Sequence, residues 1–225
     1  MQPATNLNTI RRMKTGMSEL PDQFTEFATF DLRTNVVNRR VSNIMHFVST
    51  IFFVPLFAGV TAAVRPGTPF DPVDLWSASI PGLGALGSLA VVFLLVVGVL
   101  YFHGLVHWGA FRVLGGASPT FSTQGITFSV SAPEWVLNKR TTFGVTVLPF
   151  FVVSALGAVL LSIVPSSGIA WVYLPVVANG VASARDILTL SWLLVTPKGC
   201  LFTHAGEVLT AYAPPGTEPL SPDKN

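Results

Sequence analysis

Residues 89–107, LAVVFLLVVGVLYFHGLVH, decide the fold because they form an apolar run with no Asp, Glu, Lys or Arg. An α-helix needs about 20 such residues to cross the hydrocarbon core of a bilayer. The uncharged stretches 41–64, 75–111 and 141–184 are all long enough, and the turn signal at 165–168, PSSG, divides the last into two helices. We therefore predict an all-α membrane protein with about four transmembrane helices, at 41–63, 84–112, 143–164 and 169–195.

The composition indicates that lipid, rather than water, surrounds most of the chain. Of 225 residues, 50% are hydrophobic and 11% are charged, whereas a soluble domain has roughly 25% charged residues. The net charge of +2 is spread along the chain without a basic and aromatic stripe, so we predict no nucleic-acid partner. The single cysteine, Cys200, excludes an internal disulfide and a zinc cage made only of cysteines.

Basic residues predict the orientation of the chain in the membrane. Arg39 and Arg40 directly precede the first predicted helix, and Lys139 and Arg140 directly precede the third. The positive-inside rule places these segments in the cytoplasm, and Lys198 places the tail there too. We expect an integral protein of the cell membrane with cytoplasmic N- and C-termini.

The same pattern predicts three segments along the chain. Residues 1–40 form a polar cytoplasmic segment without the apolar region of a secretory signal, so the first helix acts as its own insertion signal. Residues 41–212 form the membrane domain, and residues 213–225 form a flexible tail. We expect the N-terminal segment to be mobile as well.

A short β-hairpin is predicted between helices two and three. Apolar and polar residues alternate from Thr120 to Ser131, around the dipeptide Gln124-Gly125. Such alternation around a turn dipeptide is typical of a hairpin.

Two histidines stand at a spacing that suits a metal ion. His103 and His107 are four residues apart, which puts both imidazoles on one face of helix two. Asp186 is an ionisable residue inside helix four, and such residues are functional candidates by default. His103 lies about 18 residues after the glycines that open helix two, and Asp186 lies the same number after Gly168, which gives ~27 Å of rise in each helix. We therefore expect the three side chains to meet at one depth.

The combination of two imidazoles and one carboxylate is a three-ligand set for Zn²⁺ that leaves a fourth position open. Asn179, Ser183 and Asp186 follow the spacing i, i+4, i+7 and form a polar stripe that supports the site. Other readings stay open at this point. The histidines could serve helix packing or sit at the headgroup level, and Asp186 could pair with a nearby cation.

The residue after His103 bears on catalysis. The zinc motif H-E-x-x-H has a glutamate there to move protons, and this chain has Gly104. A positioned general acid–base typically contributes about 10²- to 10⁴-fold in rate. We predict no catalytic residue at this position and leave enzymatic activity open, because metal binding can persist while peptide hydrolysis becomes slow.

The chain resembles the family of small membrane-embedded zincin peptidases that are distantly similar to site-2 proteases. The resemblance covers roughly residues 41–212 and rests on His103-x-x-x-His107, the hairpin around Gly125, Leu148-Pro149-Phe150 and Asn179-x-x-x-Ser183-x-x-Asp186. It implies that His103, His107 and Asp186 bind zinc, and that Gly104 stands where the family has its catalytic glutamate. The spacing of Glu134 in the loop gives no support for a replacement.

Two functions are consistent with this pattern. The first is a zincin-like pseudoenzyme, a degenerate or weakly active metalloprotease that binds a transmembrane protein client. The alternative is a structural or adaptor membrane protein without metal, whose polar stripe only joins helices. A transporter subunit is disfavoured because the chain has no repeated half.

Two further histidines have simpler interpretations. We expect His204 and Glu207 to belong to a plain surface turn rather than a second metal site. His46 has no spaced partner in helix one, which favours a histidine that hydrogen-bonds to another helix.

Overall fold

The computed structural model describes residues 16–67, 83–124 and 127–217. Its helices are α1 (Val36–Val64), α2 (Gly84–Gly115), α3 (Lys139–Ile163), α4 (Ile169–Ala182) and α5 (Ala184–Val195), with a 3₁₀ turn at Ser166–Gly168. Its strands are β1 (Gly16–Met17), β2 (Thr25–Asp31), β3 (Thr120–Gln124), β4 (Thr127–Asn138), β5 (Leu201–Ala205) and β6 (Val208–Ala213).

Four helical segments in the described residues are long and apolar enough to cross a membrane. They are Val36–Val64, Gly84–Gly115, Lys139–Ile163 and Ser166–Val195. Large apolar side chains on their outer faces are exposed, for example Phe47 at 68% and Leu86 at 84%. Such faces suit a lipid environment, because a helix already satisfies the hydrogen bonds of its own backbone. The prediction of four helices long and apolar enough to span a membrane is confirmed, and α1 begins at Val36, before its predicted start at residue 41.

The fourth predicted helix, 169–195, is not continuous. It breaks at Ser183, between α4 and α5, where the Ser183 hydroxyl donates to the carbonyl oxygen of Asn179 at 2.9 Å. Serine hydroxyls that bond back to their own helix often bend it. Asp186 lies in the first turn of α5.

The helices share a core in which small residues permit close approach. Phe53 and Phe57 of α1 pack with Leu161 of α3 and Tyr173 of α4. A methyl group at Gly157 would overlap the side chain of Val176, so glycine is what lets α3 and α4 approach there.

An antiparallel sheet accompanies the helices, so the prediction of an all-α protein with one hairpin is incomplete. The strand order is β1-β4-β5-β6-β2, and β3 pairs with β4. Strand β2 lies in the N-terminal segment that we expected to be mobile. Its partner is β6, with Phe30 opposite Leu209. Because these residues are far apart in sequence, no local sequence pattern predicts their pairing.

The hairpin prediction is confirmed. Strands β3 and β4 pair from Thr120 with Ser131 to Gln124 with Thr127. The turn residue Gly125 and tail residues 218–225 lie outside the described part of the chain.

The sheet lies at one end of the helices. Strand β2 leads into α1, the β3–β4 hairpin connects α2 to α3, and β5 follows α5. Leu193 of α5 is buried against Phe27, Phe202 and Leu209 of the sheet. Both described chain ends are therefore on the same side of the helices.

Candidate metal centre

The face of α2 that turns inward carries both histidines. His103 and Gly104 are buried, while His107 is partly buried. Nε2 of His103 lies 3.2 Å from Oδ2 of Asp186, and Nε2 of His107 lies 3.3 Å from Oδ1. One ligand atom from each of the three residues falls within 4.8 Å of the other two. The side chains meet as the depth comparison predicts, and this group could hold a metal ion.

Hydrogen bonds to the far side of each ring determine which nitrogen faces Asp186. Nδ1 of His103 lies 2.9 Å from Oδ1 of Asn179, and Nδ1 of His107 lies 3.0 Å from the carbonyl oxygen of Val145. Those oxygens only accept, so each Nδ1 carries a hydrogen. In a neutral imidazole the Nε2 lone pair then points toward the carboxylate. Metal-binding histidines usually donate their other N–H in this way.

The donor set fits a cation. Oδ2 of Asp186 is buried and makes no hydrogen bond within the described residues, although Nε2 of His103 is only 3.2 Å away. Two nitrogen lone pairs facing a partly buried carboxylate are unfavourable unless a proton or a metal ion lies between them. Imidazole nitrogen and carboxylate oxygen are both common ligands of Zn²⁺.

The two supporting residues differ in what they do. Asn179 is fully buried and bonds His103 directly, and its Nδ2 donates to Oγ of Ser154 at 3.4 Å, which fixes the amide orientation. Ser183 instead bonds its own helix at the break. Arg185 forms an ion pair with Glu207 of the β5–β6 turn, so the cation next to Asp186 in sequence faces a different acid.

The hairpin covers the position of the motif glutamate. A Cβ atom at Gly104 would lie 3.1 Å from Cε2 and 3.3 Å from Cζ of Phe121 in β3. A larger side chain there requires the Phe121 ring to move. Glu134 is exposed on β4 and does not line the cavity that contains the centre.

That cavity has a volume of about 530 Å³ and lies between the helices and the sheet. All four histidines of the chain line it, namely His46, His103, His107 and His204. The expectation of a hydrogen bond from His46 to another helix is wrong, because its Nδ1 lies 2.6 Å from the carbonyl oxygen of Ser42 in α1 itself.

The expectation of a plain surface turn at His204 is also wrong. His204 lies in β5 with its ring against Phe111, at 5.2 Å between centroids. Its Nδ1 is buried and has no hydrogen-bond partner in the described residues. Burial lowers the pKa of His204 to about 4, helped by the nearby His107 and opposed by Asp186. A signal existed in the sequence, since LFTHA and VLTAYA flank the turn pair Gly206-Glu207 in the manner of a hairpin.

Comparison with known proteins agrees with this geometry. A family described as "Putative zincin peptidase" matches the chain over residues 93–201. The matched part is therefore similar to that family. It includes His103, His107 and Asp186 and ends before His204. Neither the curated proteins nor the solved structures contained a match.

Proposed function

We propose that this protein is a membrane-embedded, zincin-like zinc protein that binds a transmembrane protein client and cleaves it slowly or not at all. The convergence of two imidazole Nε2 atoms on the Asp186 carboxylate carries the proposal. The family match over residues 93–201 supports a metal at this place.

His103, His107 and Asp186 would bind the ion, and the remaining contacts hold the ligands in orientation. Asn179 and the Val145 carbonyl oxygen keep each Nδ1 protonated, so that Nε2 is free to bind. Bound zinc supplies a Lewis acid that polarises a carbonyl group. The residues of the chain would hold the zinc ligands in a fixed orientation away from bulk water, and that effect depends on both.

Weak catalysis follows from Gly104. We infer that it replaces the glutamate of a family distantly similar to site-2 proteases, and Phe121 covers the space beside it. Loss of a positioned general base removes about 10²- to 10⁴-fold in rate. A client could therefore bind and orient at the centre while its peptide bonds persist.

The cavity supports a membrane client. Its wall combines apolar side chains of α2 and α4, such as Val96, Leu100 and Val181, with the polar residues of the centre. An apolar polypeptide segment that leaves the bilayer near the sheet would match this lining. With both termini cytoplasmic, the centre would lie toward the cytoplasmic face of the cell membrane.

Metal analysis of the detergent-purified protein tests the proposal. We expect about one zinc per chain, with strong loss in His107→Ala and Asp186→Asn. His46→Ala is the matched control, because Nδ1 of His46 is already bonded within α1, and it should retain zinc. Less than about one zinc per two chains, with no loss in His103→Ala, would overturn the proposal.

Activity needs its own assay. If the wild-type protein cleaves a membrane substrate and His107→Ala abolishes that cleavage, the client-binding pseudoenzyme is wrong and a different group acts as the base.

A metal-free structural or adaptor role is the second candidate. The N–O separations of 3.2 and 3.3 Å also suit a direct ion pair between Asp186 and protonated imidazoles. In that case the purified protein contains no zinc, and His107→Asn lowers stability while its function persists.

A further inference from the structure

We infer that His204 hydrogen-bonds the ligand that occupies the open coordination position of this centre. The inference rests on the proposed zinc site and assigns a role to a residue that lies beyond the matched stretch 93–201.

An unsatisfied nitrogen in the cavity wall is the first observation. Nδ1 of His204 is buried, yet no hydrogen-bond partner is found for it among residues 16–67, 83–124 and 127–217. A buried polar atom without a partner destabilises the fold, and native proteins contain few such atoms. His204 lines the cavity, so the partner could be a molecule that occupies the cavity and contacts this ring.

The position of the ring points to the metal's ligand as that partner. His204 packs on Phe111, which follows His107 by one turn on the same face of α2. It also lines the cavity with Asp186 but lies outside the group whose ligand atoms fall within 4.8 Å of one another. A residue that hydrogen-bonds a zinc ligand lies farther from the metal than the zinc-binding atoms do. A Zn–O bond of about 2.0–2.2 Å and a hydrogen bond separate it from the metal.

The chemistry of the ring suits this role. Burial keeps His204 neutral at neutral pH, and a neutral imidazole offers one donor and one acceptor. It can therefore bond either a polarised oxygen or an N–H group. The ionisable groups that line the cavity with it are His103, His107 and Asp186 of the centre, His46 of α1, and the ion-paired Arg185 and Glu207.

Strand β5 of the sheet brings a polar side chain to the cavity, whereas α2 has no glutamate next to His103. The glutamate position of the zinc motif is Gly104, where Phe121 closes the space beside the helix. His204 reaches the cavity from β5, and the Arg185–Glu207 pair joins the turn after β5 to α5 next to Asp186. A polar ring from the sheet thus lines the cavity next to the helix that carries both histidines.

The test uses the full-length, zinc-loaded protein in detergent and acetohydroxamate, which binds zinc through oxygen and carries an N–H. His204→Phe keeps a ring against Phe111 and removes both nitrogens, and His204→Leu is a second nitrogen-free variant. We expect zinc affinity within about threefold of wild type and acetohydroxamate binding weakened about tenfold, the net effect of one hydrogen bond. His204→Gln, which retains a donor and an acceptor, should bind acetohydroxamate within about threefold of wild type, as should His46→Ala.

The results that would contradict this inference can be distinguished from one another. Unchanged acetohydroxamate affinity in both nitrogen-free variants, with zinc retained, overturns the role of His204 and leaves the zinc site intact. Zinc loss as large as that of His107→Ala would make His204 a metal ligand instead. A wild-type protein that binds no zinc overturns the zinc site and this inference together.

Discussion

His103 of α2 donates its Nδ1 hydrogen to Oδ1 of Asn179 on α4, with 2.9 Å between the two atoms. This bond joins the helix that carries both histidines to the chain segment that leads into Asp186. It also determines that Nε2 is the nitrogen that faces the carboxylate. The orientation of the His103 ring therefore depends on a residue outside the group of His103, His107 and Asp186.

Replacing Asn179 should weaken zinc binding without removing a ligand. In Asn179→Ala, His103 loses the acceptor that orients its ring, and the loss of such a contact typically costs 10- to 100-fold in metal affinity. Competition with a chelator measures the dissociation constant. Asn179→Asp retains an acceptor and should lose less. Ser191→Ala is the control, because the Ser191 hydroxyl donates to the carbonyl oxygen of Ile187 within its own helix, and a loss equal to that of Asn179→Ala would contradict this explanation.

Sequence periodicity is enough to predict the four long apolar helices and the meeting of His103, His107 and Asp186. Membrane helices are long and locally encoded, and the i, i+4 spacing places His103 and His107 on one face whatever surrounds them. Comparable helix rise also brought Asp186 to the same depth. These features depend on neighbours in sequence, which a pattern can reveal.

The features that sequence did not reveal depend on distant contacts. Strand β2 forms because β6 lies beside it, and the break at Ser183 is a local bond inside an otherwise apolar helix. His204 was missed because a histidine beside a glycine turn looks like a surface residue. Only the packing of β5 against Phe111 shows that it lines the cavity.

Restoring the motif glutamate should strain the hairpin. In Gly104→Glu the new side chain meets the Phe121 ring, since even a Cβ atom would lie 3.1 Å from Cε2. Overpacking of this kind typically costs about 1–3 kcal/mol. Thermal unfolding in detergent should show the loss, and Phe121→Ala in the same chain should recover part of it. Strictly additive effects of the two changes would show that the ring and the new side chain do not compete for space.

His204 should make the metal-free protein less stable in mild acid. Burial lowers its pKa to about 4 in the fold, against about 6.5 in the unfolded chain. Between these values the unfolded state binds more protons, so the free energy of unfolding decreases as pH falls from about 6.5 toward about 4, by at most roughly 3 kcal/mol. His204→Phe removes this contribution while leaving His107 and Asp186 in place.

Chelator-treated wild-type and His204→Phe proteins, unfolded at a series of pH values, provide the comparison. The difference between their free energies of unfolding should change across this window and be constant above it. A constant difference down to pH 4 would show that the folded state does not hold His204 neutral.

The orientation of the chain can be tested at two exposed positions. Glu134 lies on β4 at the sheet end, and Pro66 follows α1 at the other end. A cysteine at Pro66 should react with a membrane-impermeant maleimide in sealed right-side-out vesicles, because the positive-inside rule puts the sheet in the cytoplasm. A cysteine at Glu134 should react only after permeabilisation.

The native Cys200 gives a low background, since burial raises the pKa of its thiol and keeps the reactive thiolate scarce. Labelling of Glu134→Cys in sealed vesicles would invert the predicted topology and place the metal centre toward the outer face.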